Sequence, residues 1–203
     1  NQKMSKSRGN VVNPDTVIAE YGADTFRLYE MFMGPFTEMK PWSTKSIEGV
    51  ARFLSKVWRL AEKPFTDNED PKLTSLVHKT IKKVGEDIAS LSFNTAVSQM
   101  MILVNALGEQ EALHKPYFET FLKLLAPFAP HLAEELWEKL GNTSFVVQEN
   151  WPQYEERLLV ETMIDIPVQV NGKVRDVLKI AADATKDDVL AQTKDKAAHI
   201  YPL

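Results

Sequence analysis

As far as Gly141 the apolar residues recur at helical spacing; from Val160 onward they alternate with polar ones. That switch predicts a mainly α chain that ends in a small hairpin-containing unit. The cleanest stripe is Ile47, Val50, Ala51, Leu54, Val57, Trp58 and Ala61, the core-facing side of a helix from Ser43 to Lys63. Before it, Asn13-Pro14-Asp15 reads as a helix start: Asn as N-cap, Pro at the first helical position, Asp in the first turn. This short helix ends near Tyr21-Gly22. The next begins at Ala23-Asp24 and stops at Gly34-Pro35. Its apolar residues nearly encircle it, which predicts burial on most sides. Asp24 and Arg27 on it form either a local i,i+3 ion pair or a brace for a neighbouring site.

After a polar loop over 64–71, Leu73, Leu76, Val77, Ile81, Val84 and Ile88 predict an inward face for a helix from Lys72 to Leu91. Another spans Phe93 to Leu107 and stops at Gly108, with Asn94 read as a polar connection inside the bundle. Pro116 opens a helix reaching Ala126, Pro127 breaks it, and Pro130 starts the next. Glu134 and Glu135 lie near that start, where the helix dipole favours acids, so the pair needs no catalytic explanation. Ile164, Ile166, Val168 and Val170 then alternate into Asn171-Gly172, a type I′ turn signal, and Val174 to Ile180 returns as a second strand. Thr185-Lys186-Asp187-Asp188 reads as the capped start of a helix running into Ala191 and beyond.

Composition narrows the picture. The 203 residues are 44% hydrophobic and 26% charged, as in ordinary globular chains. No apolar run approaches the length of a membrane span, and no apolar segment follows the cationic start as in a secretory signal. Cysteine is absent, which excludes disulfides and thiolate metal sites and is compatible with a reducing cytosol. His78, His114, His131 and His199 show no ligand spacing, so no metal site is expected. Net charge is −4, yet residues 1–60 carry 9 Lys/Arg against 6 Asp/Glu, and the remainder is acidic. Any phosphate-binding surface is therefore local.

The candidate chemistry sits at the start. Lys3-Met4-Ser5-Lys6-Ser7 places two cations and two hydroxyls in a short segment followed by Arg8-Gly9-Asn10. Charge that builds on phosphate oxygens as a bond to pyrophosphate breaks is stabilised by such ammonium groups. Hydroxyls and backbone N–H groups can donate to the same oxygens. The segment lacks the glycines of a Walker A loop. Taken without context, a Lys/Ser run at a chain start is also what a solvated tail looks like.

These five residues match the KMSKS motif of class I aminoacyl-tRNA synthetases at every position, and Arg8-Gly9-Asn10-Val11-Val12 with Pro14 fits its usual sequel. Further blocks carry the same resemblance. They are Tyr21-Gly22-Ala23-Asp24-Thr25-Phe26-Arg27-Leu28-Tyr29, Met31-Phe32-Met33-Gly34-Pro35, the Trp42-Ser43 to Trp58 region and Ser92-Phe93-Asn94-Thr95-Ala96. The proline-rich block from Pro127 to Trp137, with Trp151-Pro152, resembles the last helices of the anticodon-binding bundle in valyl, leucyl and isoleucyl enzymes. Val168-Gln169-Val170-Asn171-Gly172-Lys173-Val174-Arg175 is similar to the hairpin that opens the extra C-terminal domain of bacterial leucyl-tRNA synthetases. The leucyl family is the best resemblance, with isoleucyl and valyl enzymes as the alternative.

The resemblance implies a class I anticodon-binding helix bundle and a function. Residues 1–41 would be the KMSKS loop and connecting helices of the catalytic region, 42–158 the bundle, and 159–203 a partial, truncated α/β domain. No H-I-G-H-like sequence or Rossmann phosphate turn is present, so the chain is expected to be the C-terminal portion of a larger enzyme, inactive alone. That enzyme would use ATP with Mg²⁺ to activate leucine and transfer it to tRNA(Leu), as a cytoplasmic monomer. Lys6 and Lys3 are the catalytic candidates. Lys3, Met4, Ser5, Lys6 and Ser7 are the ATP-binding set, with Met4 packing the loop down. Candidate tRNA contacts are Arg52, Lys56 and Arg59, off the apolar stripe, and Lys173 and Arg175, past the hairpin turn; for each, simple solvation is the other reading. A stand-alone tRNA-binding module and a helical protein-interaction scaffold are the remaining alternatives.

Overall fold

A computed structural model describes residues 3–35, 37–159, 163–170, 173–181, 184–190 and 193. The chain is mainly helical. After a 3₁₀ turn at Lys6–Arg8 come α1 (Pro14–Tyr21), α2 (Ala23–Phe32), α3 (Thr44–Leu60), α4 (Pro71–Ala89), α5 (Phe93–Glu109), α6 (Lys115–Leu125) and α7 (Pro130–Lys139). Two short strands, β1 (Phe65–Thr66) and β2 (Leu113–His114), pair in parallel between helices, and β3 (Met163–Val170) pairs antiparallel with β4 (Lys173–Ala181).

Local chemistry explains the helix starts. The Asn13 side chain accepts the Asp15 N–H with Pro14 as first helical residue, and Asp70 does the same for Lys72 with Pro71. Ser43 caps α3 by accepting the Ser46 N–H. One expected stop fails. Helix α5 runs past Gly108 to Glu109, because the Lys63 ammonium donates to the carbonyls of Leu107, Gly108 and Gln110. That cation satisfies the last carbonyls and complements the helix dipole, so no glycine cap is needed.

The core lies among α2 to α7. Ile47, Val50, Leu54 and Val57 are buried as their spacing demands, and Phe53 and Leu60 join them. Ala51, Trp58 and Ala61 lie half-buried at the flank, so the buried face of α3 is turned towards Phe53. The half-buried Trp58 ring instead carries the Lys139 ammonium, 4.1 Å from its centroid. Helix α5 packs on the buried face of α3, and its Met100, Leu103 and Leu107 continue into the same core as Phe118, Phe121 and Leu122 of α6, all sealed from solvent. Each such side chain contributes about 1.5–3 kcal/mol by leaving water.

Helices α4 and α5 are joined by a polar network rather than by Asn94. The buried Asp87 carboxylate accepts Thr95 Oγ1 at 2.7 Å and pairs with Lys83, and Gln99 Nε2 donates to Thr80 Oγ1 at 3.0 Å. Thr95, one residue along, is thus the connecting side chain; the Asn94 backbone carbonyl accepts Ser98 Oγ. A buried carboxylate is tolerable only with such partners.

The hairpin pairs Ile164 with Ile180 and Ile166 with Leu178. Between Val168 and Gln169 the register shifts: Val168 faces Asp176 but Gln169 faces Val174, leaving Arg175 as the extra residue of a β-bulge. Leu178 and Ile180 are buried. The turn residues Asn171 and Gly172 fall outside the described residues. The expected helix start at Thr185 is present as a reciprocal capping box. Asp188 N–H donates to Thr185 Oγ1, and Thr185 N–H donates to Asp188 Oδ2 at 3.0 Å. The Thr185 hydroxyl, which donates to Asp188 Oδ2 at 2.7 Å, and then the Thr185 N–H hold the Asp188 carboxyl below its ordinary pKa. Its continuation through Ala191, and everything from 194 to 203, lies outside the described residues.

Candidate functional site

The five residues Lys3 to Ser7 fold as a tight reversal, not as an extended tail. Arg8 N–H donates to the Ser5 carbonyl at 3.1 Å and Gly9 N–H to the Lys6 carbonyl at 3.2 Å, closing the 3₁₀ turn. Gly9, at φ 64°, takes the left-handed conformation that the reversal needs. The Asn10 side chain then reaches back, accepting Ser5 N–H at 2.9 Å and donating to the Lys3 carbonyl at 3.4 Å. Ser5 and Ser7 hydroxyls lie 3.2 Å apart. Lys3, Lys6, Ser7 and Arg8 are all exposed. The turn therefore offers ammonium, guanidinium and hydroxyl donors together on one short stretch, a donor set suited to phosphate oxygens.

Met4 faces an open cleft of about 540 Å³ lined also by Val12, Phe26, Met33, Lys40 and Trp42. The half-open Met4 thus stands at one rim of this cleft, whose floor is formed by α2 and the segment leading into α3. Tyr29 of α2 reinforces that floor: its ring meets Trp42 edge-on at 4.9 Å, and its hydroxyl accepts the Ser43 N–H at 2.8 Å. Burial pushes the Tyr29 phenol above its usual pKa.

Asp24 and Arg27 make different contacts from a local pair. Asp24 Oδ2 accepts the Leu132 N–H at 2.7 Å, its Oδ1 lies 2.8 Å from His131 Nδ1, and Arg27 Nη2 donates to the Pro127 carbonyl at 3.1 Å. Both grip the corner between α6 and α7. The other described histidines also have structural settings: His78 Nδ1 accepts the Glu155 N–H, and His114 packs edge-on against Tyr117. Among the described residues no group of three or more His, Asp or Glu side chains could hold a metal ion. Glu134 accepts the Val146 and Val147 N–H groups at 3.0 and 3.2 Å, a structural use of that carboxylate.

Arg52, Lys56 and Arg59 are exposed on α3 at i, i+4 and i+7, one cationic ridge roughly 10 Å long at helical rise. Lys56 Nζ also donates to Asn105 Oδ1 of α5 at 3.1 Å. Lys173 and Arg175 are exposed on β4, with the bulge at Arg175. Sequence reasoning missed the bridging role of Asn10. Its only signal was the Gly9-Asn10 pair, residue types that favour reversals.

Residues 70–190 match the family described as the anticodon-binding domain of tRNA ligase, more than half of the chain. The chain belongs to that family. Residues 1–40, which hold the lysine turn, α1 and α2, match the class I tRNA synthetases for I, L, M and V. Among solved structures, the fold is similar to the crystal structure of the Agrobacterium radiobacter K84 agnB2 LeuRS–tRNA–LeuAMS ternary complex, with TM-score 0.75 and 29% identity. That match covers 98% of this chain but 29% of the other. The chain thus carries an anticodon-binding domain after a segment that matches class I tRNA synthetases, in a fold similar to that of a LeuRS. No helix among the described residues is long and apolar enough to cross a membrane.

Proposed function

We propose that this chain is part of a leucyl-tRNA synthetase, whose whole protein activates leucine with ATP and transfers it to tRNA(Leu). The observation that carries the reading is the Lys3–Ser7 turn, folded with both ammonium groups exposed, in a chain similar to a LeuRS along almost its full length. Lys6 supplies the main charge to the departing pyrophosphate, and Lys3 assists. Ser5 and Ser7 donate to phosphate oxygens or shape the turn, and Met4 seats it in the cleft. The exposed donors fit a triphosphate; Mg²⁺ would travel on its oxygens.

In this reading residues 1–41 belong to the catalytic region, 42–158 form the tRNA-binding bundle, and 159–203 begin a further α/β domain. The bundle meets tRNA through phosphate and shape contacts, with Arg52, Lys56 and Arg59 as its ridge and Lys173 and Arg175 as a second point. Alone, the chain does not activate leucine, because the reacting groups must be held together by parts outside it. The protein works in the cytoplasm as a monomer.

The deciding experiment is ATP–pyrophosphate exchange by the full-length protein with leucine, isoleucine, valine and methionine in parallel. Exchange with leucine alone supports the reading. Preference for isoleucine or valine moves the assignment to that branch. No exchange from a folded protein turns the chain into a tRNA-binding module.

A further inference from the structure

Asn10 grips the backbone on both sides of Met4. Its Oδ1 holds the Ser5 N–H and its Nδ2 the Lys3 carbonyl, so one carboxamide pairs with the chain between the two lysines as a neighbouring strand would. Gly9, at φ 64°, supplies the reversal that returns residue 10 to residues 3 and 5. On the far side, Met4 lines the cleft with Phe26 and Trp42. Position 4 is therefore held through its backbone, while its side chain, still 41% exposed, borders the cleft.

We propose that Asn10 is a positioning residue for the lysine turn: a neutral clasp that fixes the backbone between Lys3 and Lys6 before any triphosphate arrives. The proposal rests on the catalytic reading of the turn. Lys3, Lys6 and Arg8 repel one another within a few residues, and an unclasped segment would open to separate them. A segment that opens must be re-ordered at each binding event, and that ordering is charged against transition-state stabilisation. The clasp has to be uncharged. A carboxylate at the same position would still accept the Ser5 N–H, but it would oppose the approaching triphosphate and weaken the field of the two ammonium groups.

The test uses the full-length protein with Asn10→Ala, Asn10→Asp and, as control, Lys6→Ala. Asn10→Ala is expected to lower kcat for leucine-dependent pyrophosphate exchange by about 10- to 100-fold, with a smaller change in KM for ATP, the scale of misplaced catalytic groups. Asn10→Asp is expected to raise KM for ATP more than Asn10→Ala does. Limited trypsin digestion without ATP should cut after Lys6 and Arg8 faster in Asn10→Ala, with Tm unchanged. If Lys6→Ala is damaging while Asn10→Ala stays within twofold in kcat and in cleavage rate, the clasp falls and the catalytic reading stands. If Lys6→Ala is itself harmless, the catalytic reading falls and takes the positioning role with it.

Discussion

Asp24 caps a helix that begins more than a hundred residues later: its carboxylate accepts the N–H of Leu132, the third residue of α7, and meets His131 Nδ1 at 2.8 Å. The residue in the N-cap position, Ala129, has no side chain to do so. One turn along α2, Arg27 donates to the Pro127 carbonyl beyond the end of α6. An acid thus meets a helix N-terminus and a cation the carbonyl side, as the dipoles favour. Replacing Asp24 with Ala should cost about 1–2 kcal/mol, the range for losing a helix cap, and Asp24→Asn, which keeps an acceptor, should cost less. Urea unfolding of the two variants checks the order; equal losses would mean that the bond to Leu132 is not what stabilises the corner.

Lys63→Met removes the ammonium from three carbonyls at the end of α5 while keeping most of the stem. A loss of about 1–3 kcal/mol is expected, since charge-assisted bonds are replaced by unsatisfied carbonyls. Hydrogen exchange should show earlier opening of the last turn of α5. Unchanged protection there would show that water satisfies those groups equally well.

Acid sensitivity has a local contributor in Glu149. Its carboxyl is held below its ordinary value, first by the Ser144 hydroxyl and then by Lys123. A depressed folded pKa means that the stabilisation is present above the unfolded value near 4.5 and is lost as pH falls through the lower folded value. Glu149→Gln should therefore flatten the pH dependence of Tm in that acid range while lowering Tm at neutral pH. Parallel curves for the two proteins would remove Glu149 from the acid transition.

In the full-length protein, Lys6→Ala is expected to slow adenylate formation by roughly 10²–10³, about 3–4 kcal/mol, the scale of losing one preorganised donor. Single-turnover kinetics read this directly. A loss under tenfold would take Lys6 out of that role.

Reversing the α3 ridge with Arg52→Glu and Arg59→Glu should weaken tRNA binding without changing leucine activation. If both residues contact phosphates, the slope of log affinity against log salt should shrink by about two. Binding unchanged at low salt would return the ridge to ordinary solvation.

Much of this was readable along the chain, for identifiable reasons. The helices announce themselves through 3.6-residue periodicity and through Pro14, Pro116 and Pro130 at first turns, whereas Pro71, read as the end of a loop, opens α4. The capping box at Thr185 and Asp188 needs only three residues of separation. What stayed hidden depends on partners far away in sequence. Asp24 and Arg27 look like a local pair until the corner at Pro127 to Leu132 is brought beside them. Gly108 looks like a helix stop unless Lys63 is known to reach the same carbonyls. Thr95 rather than Asn94 connects α4 and α5, because helical phase one residue along decides which side chain faces Asp87. In the site, the motif residues are plain in sequence, whereas the clasp by Asn10 exists only once Gly9 has reversed the chain.

The bulge gives the hairpin something like a reading frame. By simple alternation Val174 would share a side with the buried Leu178 and Ile180, yet it is 56% exposed. The single extra residue, Arg175, shifts the count, so Val174 sits opposite Gln169 instead of Val170. The outward side of the ribbon consequently gathers Pro167, Val174 and Val177, where an unshifted strand would place the guanidinium of Arg175 opposite Gln169. Deleting Arg175 would make the pairing continuous and keep that apolar outer surface, whereas inserting one residue between Val168 and Gln169 would give Arg175 a partner and turn its guanidinium to the outward side.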